Sequence, residues 1–407
     1  GVFPSFSGAW RIINEPFMEG TRNVLSDLKL RGGWGVLGNQ AISYYSYQSV
    51  LDQANYSFGG TVVQGVAPVD GANRDLIWET TETLNFGLDM GFLGNQYTLS
   101  IEGYRKLTYD ILMKLPVSTL YGLNAPYQNA GKVKNTGLEI TAGYKLNTHG
   151  WNFQVSANAA YNKNEVMDLK NGGARIWSGK YFNQEGYAIN SIGGYIAEGL
   201  FKTEEEVANS ATIPGTDTAP GDIKYRDINN DGKIDGEDRV YIGNTMPKWT
   251  FGLNLFAEWK GLDATFLFQG AADVQGYLAG PGVVGEMIGA KGKPSYMYRD
   301  CWDAETNPNG KFPRAFSSYR QNNSIYNPSS FWIVNSSYLR LKNFQLGYTL
   351  PKEWCNMMGI SRIRVYYSGQ NLLTFTKFDK GFDPESPEGG SSYPQVKTNT
   401  FGLNITF

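Results

Sequence analysis

Between Pro247 and Gly270 the chain reads PKWTFGLNLFAEWKGLDATFLFQG. Every second residue from Trp249 is apolar: Trp249, Phe251, Leu253, Leu255, Ala257, Trp259. Thr250, Gly252, Asn254, Phe256 and Glu258 lie between them. After Lys260-Gly261 the alternation resumes, with Leu262, Ala264, Phe266 and Phe268 set against Asp263, Thr265, Leu267 and Gln269. A period of two predicts strands with one oily face. The same pattern predicts strands over Phe3–Ile12, Leu28–Val36, Thr83–Phe92, Tyr97–Leu112, Lys134–Leu146 and Trp151–Tyr161. It returns over Phe331–Leu350, Arg362–Phe375 and Lys397–Phe407, for about eleven strands in all. Near Asn343 the apolar set skips a step, between Leu339, Leu341 and then Phe344, Leu346, Tyr348, as a bulge would require.

The connections alternate. Leu93–Gln96, Asn147–Gly150 and Lys260-Gly261 are tight turns, and 14–27 and 351–361 are modest. The others, about residues 37–76, 113–133, 162–246, 277–330 and 376–396, are long. Long connections of this kind are uncommon in compact soluble domains but usual on the outer side of outer-membrane barrels. Ten residues from Trp249 to Trp259 span about 33 Å of strand. Tilted by about 40°, that projects to about 25 Å, the height of a membrane barrel's apolar band, with aromatics where interfacial girdles sit. In a soluble sandwich the oily face would turn inward, and nothing would require an aromatic at each end. The expected fold is therefore all-β: an antiparallel up-and-down transmembrane β-barrel lying in the bacterial outer membrane among its lipids. Its long loops would be extracellular and its C-terminus periplasmic. The last strand ends on Phe401, Leu403, Ile405 and Phe407, with an aromatic as the final residue. About eleven strands leave two open edges, which lipid does not tolerate, so residues outside this chain are expected to complete the barrel.

Composition agrees with strands and turns: 407 residues with 49 Gly, 26 Tyr, 22 Phe and 10 Trp. A net charge of −2 gives no reason to expect nucleic acid as a partner. No apolar run reaches the length of a transmembrane helix, which leaves a barrel open. No signal peptide opens the chain, and it is expected to be a mature or truncated piece. Two cysteines are too few for a disulfide framework. By strand count Cys301 falls in an outer loop and Cys355 in a periplasmic turn, a membrane apart. The single histidine, His149, sits in a turn, so zinc sites and Ser-His-Asp triads have little to stand on. Catalysis is not expected. The polar face is expected to present Asn85, Asp89, Glu139, Thr141, Asn152, Gln154, Asn158, Asn254 and Glu258 to the interior.

One motif carries chemistry. DINNDGKIDGED runs from Asp227 to Asp238. Asp227, Asn229 and Asp231 stand at positions 1, 3 and 5 of a twelve-residue calcium loop, with Gly232 at 6. Lys233 offers its carbonyl at 7, Ile234 is the buried anchor at 8, Asp235 stands at 9, and Asp238 takes position 12, where glutamate is usual. Hard oxygen ligands at every second residue can wrap one Ca²⁺. The plain alternative is a polar hairpin tip that binds nothing. Tyr44, Tyr45, Tyr47, Trp177, Tyr181 and Trp302, in the long connections, could stack on sugars or simply pack their loops. Gly-Gly pairs at 32–33, 172–173 and 193–194 lack the context of a phosphate loop.

The segment GDIKYRDINNDGKIDGEDRVYIGNTMPKWTFGLN resembles the SusC/RagA-like family of TonB-dependent outer-membrane transporters. SDLKLRGGWGVLGNQ, SSYLRLKNFQLGYTLP and SGQNLLTFTKFDKGFDPES carry the same resemblance. It covers essentially the whole chain and corresponds to the C-terminal part of such a protein. It implies half of a twenty-two-stranded barrel whose lumen holds an N-terminal plug. It further implies a SusD-like surface lipoprotein as lid and TonB-driven import of oligosaccharides or peptides. The plug, the TonB box and the first half of the barrel have no match here. A different reading of the same residues is a surface glycan-binding or adhesin protein with a calcium-braced loop and no transport role.

Overall fold

The computed structural model describes residues 1–278, 296–315, 327–378, 382–386 and 395–407. Eleven strands form one sheet in which each lies beside its predecessor in sequence. They are β1 (Ser5–Trp10), β2 (Leu25–Asn39), β3 (Glu79–Phe92), β4 (Tyr97–Lys114), β5 (Tyr127–Thr148) and β6 (Trp151–Asp168). Then follow β7 (Trp249–Trp259), β8 (Leu262–Ala272), β9 (Tyr338–Thr349), β10 (Arg362–Thr376) and β11 (Thr398–Thr406). Among the described residues no helix is long and apolar enough to cross a membrane.

The strand limits differ from the pattern in instructive ways. The first strand is shorter than Phe3–Ile12, because Pro4 precedes it and Ile12–Asn14 turns into a 3-10 helix. The run expected over Phe331–Leu350 breaks. Ile333–Asn335 pairs instead with Gln275–Tyr277, and Ser336, buried, donates its hydroxyl to the Pro384 carbonyl at 2.8 Å. Only from Tyr338 does the chain join the main sheet. The connection expected over 113–133 shrinks to residues 115–126, since β4 and β5 stay paired out to Lys114 and Tyr127. The one expected over 37–76 starts after Asn39 and runs to the start of β3 at Glu79. It contains a hairpin of its own, Leu51–Phe58 with Thr61–Pro68. The one expected over 162–246 begins after Asp168 and ends before Trp249. Parts of the connections expected over 277–330 and 376–396 fall outside the described residues.

By internal packing the chain divides into two units. The first comprises Gly1–Tyr144, Asn158–Ser178 and Phe182–Ile189. In it β1 to β4 pair antiparallel, with one register slip between Leu25 and Asp27 at the start of β2, and Val133, Val166 and Leu169 form a small core with Ile111 and Met113 packed on it. The second comprises Lys145–Ala157, Gly179–Tyr181 and Asn190–Phe407. There β7 to β11 pair antiparallel in sequence order. The register slips once in β9, between Leu341 and Asn343, leaving Lys342 as the extra residue. This is the bulge implied by the skipped apolar step. It keeps Leu339, Leu341, Phe344, Leu346 and Tyr348 opposite the apolar residues of β8 and beyond.

The turn at His149-Gly150 has φ of 49° and 79°, and that at Lys260-Gly261 has 47° and 87°. Positive φ at both central residues is the two-residue hairpin whose twist matches its strands. The residues that alternate as apolar are left uncovered: Phe6, Leu30, Phe86, Trp151, Trp249, Leu346, Phe401 and Leu403 are all exposed. On this face Phe266, Phe344, Tyr367 and Phe401 form a run of ring contacts across four strands, at 4.8, 6.0 and 5.3 Å between centroids. Water-soluble proteins rarely expose so much contiguous apolar surface. The true core of the second unit lies elsewhere, where the connection between β6 and β7 packs with the one between β8 and β9. There Ile192, Ile223, Tyr225, Ile234, Tyr277 and Trp332 cluster, and burial pushes the Tyr225 and Tyr277 hydroxyl pKa values up.

Candidate functional site

The polar face of the sheet is organised by two arginines. In the first unit Arg31 on β2 stands directly opposite Gly87 on β3, which stands opposite Glu102 on β4. With no side chain at Gly87, the guanidinium crosses β3 and reaches the Glu102 carboxylate two strands away. Its Nε also donates to Asp89 at 3.2 Å. Ser100 donates to Asp89 at 2.7 Å, and Asn85 donates to Glu102 at 3.0 Å. In the second unit Arg364 on β10 extends over Gly347 on β9 to Asp263 on β8. Its Nε and Nη2 grip the two carboxylate oxygens at 2.9 and 2.6 Å, and Nη2 also meets Gln345 at 3.2 Å. A fork with two parallel donors suits a carboxylate, so each contact fixes orientation as well as charge.

Of the residues expected on this face, Asn85 and Asp89 belong to the Arg31 network. Asn152, Gln154 and Glu258 form a chain of their own, with contacts of 3.4 and 3.3 Å. Glu139 and Thr141 stand opposite Glu102 and Ser100. Arg31, Glu102, Asp263 and Arg364 were not singled out by their sequence. Arg31, Glu102 and Asp263 each face a glycine on the neighbouring strand, and Arg364, opposite Thr349, leans over Gly347; that arrangement is readable only once register is known.

A third cluster ties a connection to the sheet. Arg340 on β9, almost fully buried, donates Nε to Thr374 at 3.0 Å and pairs with Asp383 at 2.9 Å. Lys342, the bulge residue, pairs with Glu385 at 2.9 Å.

The loop Asp227–Asp238 is closed by its own side chains. Asp227 accepts from the backbone N–H groups of Asn230 at 2.6 Å and Gly232 at 2.9 Å. Asn229 accepts from Asp231 N–H, and Asp231 from Lys233 N–H, each at 3.1 Å. These successive turns, with Gly232 at φ 83°, wind the chain as a calcium loop is wound. Ile234 is buried and bonded to the Thr212 carbonyl at 3.0 Å, as position 8 requires. Asp238 is fully buried and accepts from Ile228 N–H at 2.7 Å and Asp235 N–H at 2.8 Å. The Lys233 ammonium sits 2.6 Å from Asp235 and 3.5 Å from Asp231. Its hydrogen bond, joined by that of the Glu237 N–H, holds the Asp235 carboxyl below the usual aspartate range. The backbone therefore fits a calcium loop, while a lysine supplies the positive charge between two of its carboxylates. Among the described residues no three acidic, histidine or cysteine side chains converge as a metal cluster.

The aromatics of the connections differ in availability. Tyr44 and Tyr45 are exposed. Trp302 is buried against Gly221 and Arg314, so it packs its loop and offers no stacking face. Trp177 lies against Phe182 at 5.3 Å. Cys301 and Cys355 are both free thiols and both buried, and burial pushes the Cys301 thiol up to about 11.

An antiparallel up-and-down sheet with an uncovered apolar face, a charged opposite face and alternating short and long connections defines a transmembrane β-barrel of the bacterial outer membrane. Comparison with known proteins gives the family. Residues 1–372 match the family described as TonB dependent receptor-like, beta-barrel, and the chain belongs to it. It is 31% identical over 429 residues to TonB-dependent receptor P3 of Formosa agariphila, covering all of this chain and 42% of that protein. It is 30% identical over 444 residues to TonB-dependent receptor SusC of Bacteroides thetaiotaomicron, covering all of this chain and 40% of that one. The solved structure of the RagAB peptide transporter superposes with a TM-score of 0.78 at 28% identity, covering 100% of this chain and 43% of that one. The chain thus spans about two-fifths of the length of the proteins it matches.

Proposed function

We propose that this chain is the C-terminal barrel portion of a SusC-type nutrient importer. The observation that carries this reading is the family match over residues 1–372, joined to a likeness to SusC and to a peptide transporter. The remaining barrel strands and the plug come from the rest of the transporter. Long connections face outward, where a SusD-like lipoprotein meets them, and the C-terminus faces the periplasm. TonB acts through the plug portion, and oligosaccharides or peptides are the cargo. The Arg31 and Arg364 networks keep the lumen wall polar and rigid while cargo and plug move past it.

In the loop Asp227–Asp238, Ca²⁺ would be held by Asp227, Asn229, Asp231, the Lys233 carbonyl, Asp235 and Asp238, with the Lys233 ammonium displaced. Its role is to brace the longest connection. The successive turns and the buried Ile234 anchor support this part of the reading.

The test is genetic. The gene for the full transporter is deleted in its source bacterium, and uptake of labelled oligosaccharides and peptides is compared with the parent. Loss of uptake of one class, restored by the full gene but not by a version lacking the TonB-contacting segment, is expected. Unchanged uptake with lost surface binding would instead favour the glycan-binding or adhesin reading.

A further inference from the structure

At the short-turn end of the strands, two connections are longer than hairpins need, residues 11–24 and 351–361. The first is rigidly built. Arg22 donates Nε to the Ile13 carbonyl at 3.1 Å and Nη2 to the Asn14 carbonyl at 3.1 Å. Ile13 is buried beneath it, and Trp10 Nε1 donates to Glu15 at 2.8 Å. Yet this fixed segment holds Phe17 67% exposed, with its ring edge-on to Trp10 at 6.5 Å. Trp10 stands opposite Leu30, and Phe6 on the same strand face stacks on Trp34. Phe17 is therefore a continuation of the sheet's uncovered apolar face beyond the end of its strand.

The second connection contains the helix Lys352–Met357. Cys355 is buried, while Trp354, Met357 and Met358 are exposed. Spaced i, i+3 and i+4, those three form one stripe, and Lys352, Glu353 and Asn356 take the other side. The segment links Tyr348 and Leu346 on β9 to Val365 on β10, all exposed on the apolar face.

We propose that both connections lie in the headgroup region of the bilayer and clasp its surface. Phe17 in one, and Trp354, Met357 and Met358 in the other, enter the boundary between headgroups and acyl chains. Continuity with the apolar face selects lipid as the occupant. Indole prefers the interface, where its ring is buried and its N–H stays wet, and flexible thioethers fill irregular acyl surface. An apolar stripe opposite a polar one is how a surface-lying helix sits in this layer. The inference rests on the reading that the apolar face of the sheet meets lipid.

The experiment uses the full-length transporter reconstituted in phospholipid nanodiscs. Single nitroxide labels replace Phe17→Cys, Trp354→Cys and Met357→Cys, with Glu353→Cys as the aqueous reference and Phe401→Cys as the apolar-band reference. Collision with oxygen is compared with collision with a water-soluble nickel complex. The expected oxygen-to-nickel ratio at 17, 354 and 357 is severalfold that at 353 and approaches that at 401. A lipid-like ratio at 401 with a water-like ratio at 17, 354 and 357 overturns this inference alone. So does shielding from both probes at those three positions, which marks cover by another part of the transporter. A water-like ratio at 401 overturns the membrane reading beneath it.

Discussion

Asp263→Ala removes both acceptors of the Arg364 fork, and its cost can be worked from the geometry. Two charge-assisted bonds of 2.9 and 2.6 Å vanish, and only Gln345 at 3.2 Å remains to the guanidinium. The two side chains keep 15% and 14% of their surface, so the pair is closer to buried than exposed. Exposed pairs contribute about 0.2–1 kcal/mol, while orphaning one partner of a buried pair costs about 3–5 kcal/mol. A pair of this burial falls between, at about 2–3 kcal/mol. Arg364→Met alone leaves a carboxylate in the same place and should cost about 2 kcal/mol for the same reason. The double variant has no orphaned charge and should lose only about 1 kcal/mol, so the two changes are far from additive. Guanidinium unfolding of the full transporter in detergent, followed by tryptophan fluorescence, measures all four proteins. If Asp263→Ala stays within about 0.5 kcal/mol of the parent, or the double variant loses the sum of the singles, the brace across Gly347 contributes nothing.

Gly87→Leu would drive a side chain into the Arg31 guanidinium and should cost about 2 kcal/mol, whereas Gly103→Ala, with nothing within 4 Å of its β-carbon, should cost less than about 1 kcal/mol; the same unfolding curves compare them. Asp231→Ala should loosen the loop Asp227–Asp238 and leave barrel assembly intact. Limited proteolysis within residues 215–245 should then lose its dependence on calcium, and equal cleavage of the parent with and without chelator would count against a calcium role. Because the Lys233 ammonium depresses the Asp235 carboxyl, the stability that pair gives the loop is present above the ordinary aspartate pKa. It is lost as pH falls through the depressed value. The mobility of a nitroxide label at Glu237→Cys in the calcium-free loop should therefore stay constant down to about pH 4 and rise only below it. A rise already between pH 7 and pH 5 would refute that coupling.

The strands were legible where one face is apolar along the whole length. Trp249 and Trp259 are the observed ends of β7 because hydrophobic alternation runs to both limits and a Lys-Gly turn closes one of them. Legibility failed where burial is two-sided. β5 begins at Tyr127 rather than Lys134, in a stretch where Ala130, Gly131 and Val133 are all buried and Val133 joins the small core of the first unit, so that no oily-polar alternation marks it. It also failed where pairing is decided by a distant partner, as when Ile333–Asn335 joins Gln275–Tyr277. In the calcium-type loop the spacing of oxygens and the anchor Ile234 could be read directly. The Lys233 ammonium between Asp231 and Asp235 could not, because motif spacing assigns that residue only a carbonyl. The two arginine networks depend on the alignment of three strands at once, and no local pattern encodes that.

Gly87 and Gly347 also bear on how such a sheet avoids assembling wrongly. Hydrophobic alternation penalises a slip of one residue, which turns every side chain to the wrong side, but it is blind to a slip of two. If β3 slid by two against β2, Arg31 would face Asn85 or Asp89 in place of Gly87. If β9 slid by two against β8, Asp263 would face Gln345 or Thr349 in place of Gly347. With β3 displaced, Asn85 or Asp89 stands where Gly87 gave the Arg31 guanidinium its path to Glu102; with β9 displaced against β8, Arg364 still crosses Gly347 but Asp263 is no longer beyond it. A single glycine beneath each arginine thus marks the absolute alignment of the strands, sensitive to the even-numbered slip that the oily and polar rhythm of the chain cannot detect.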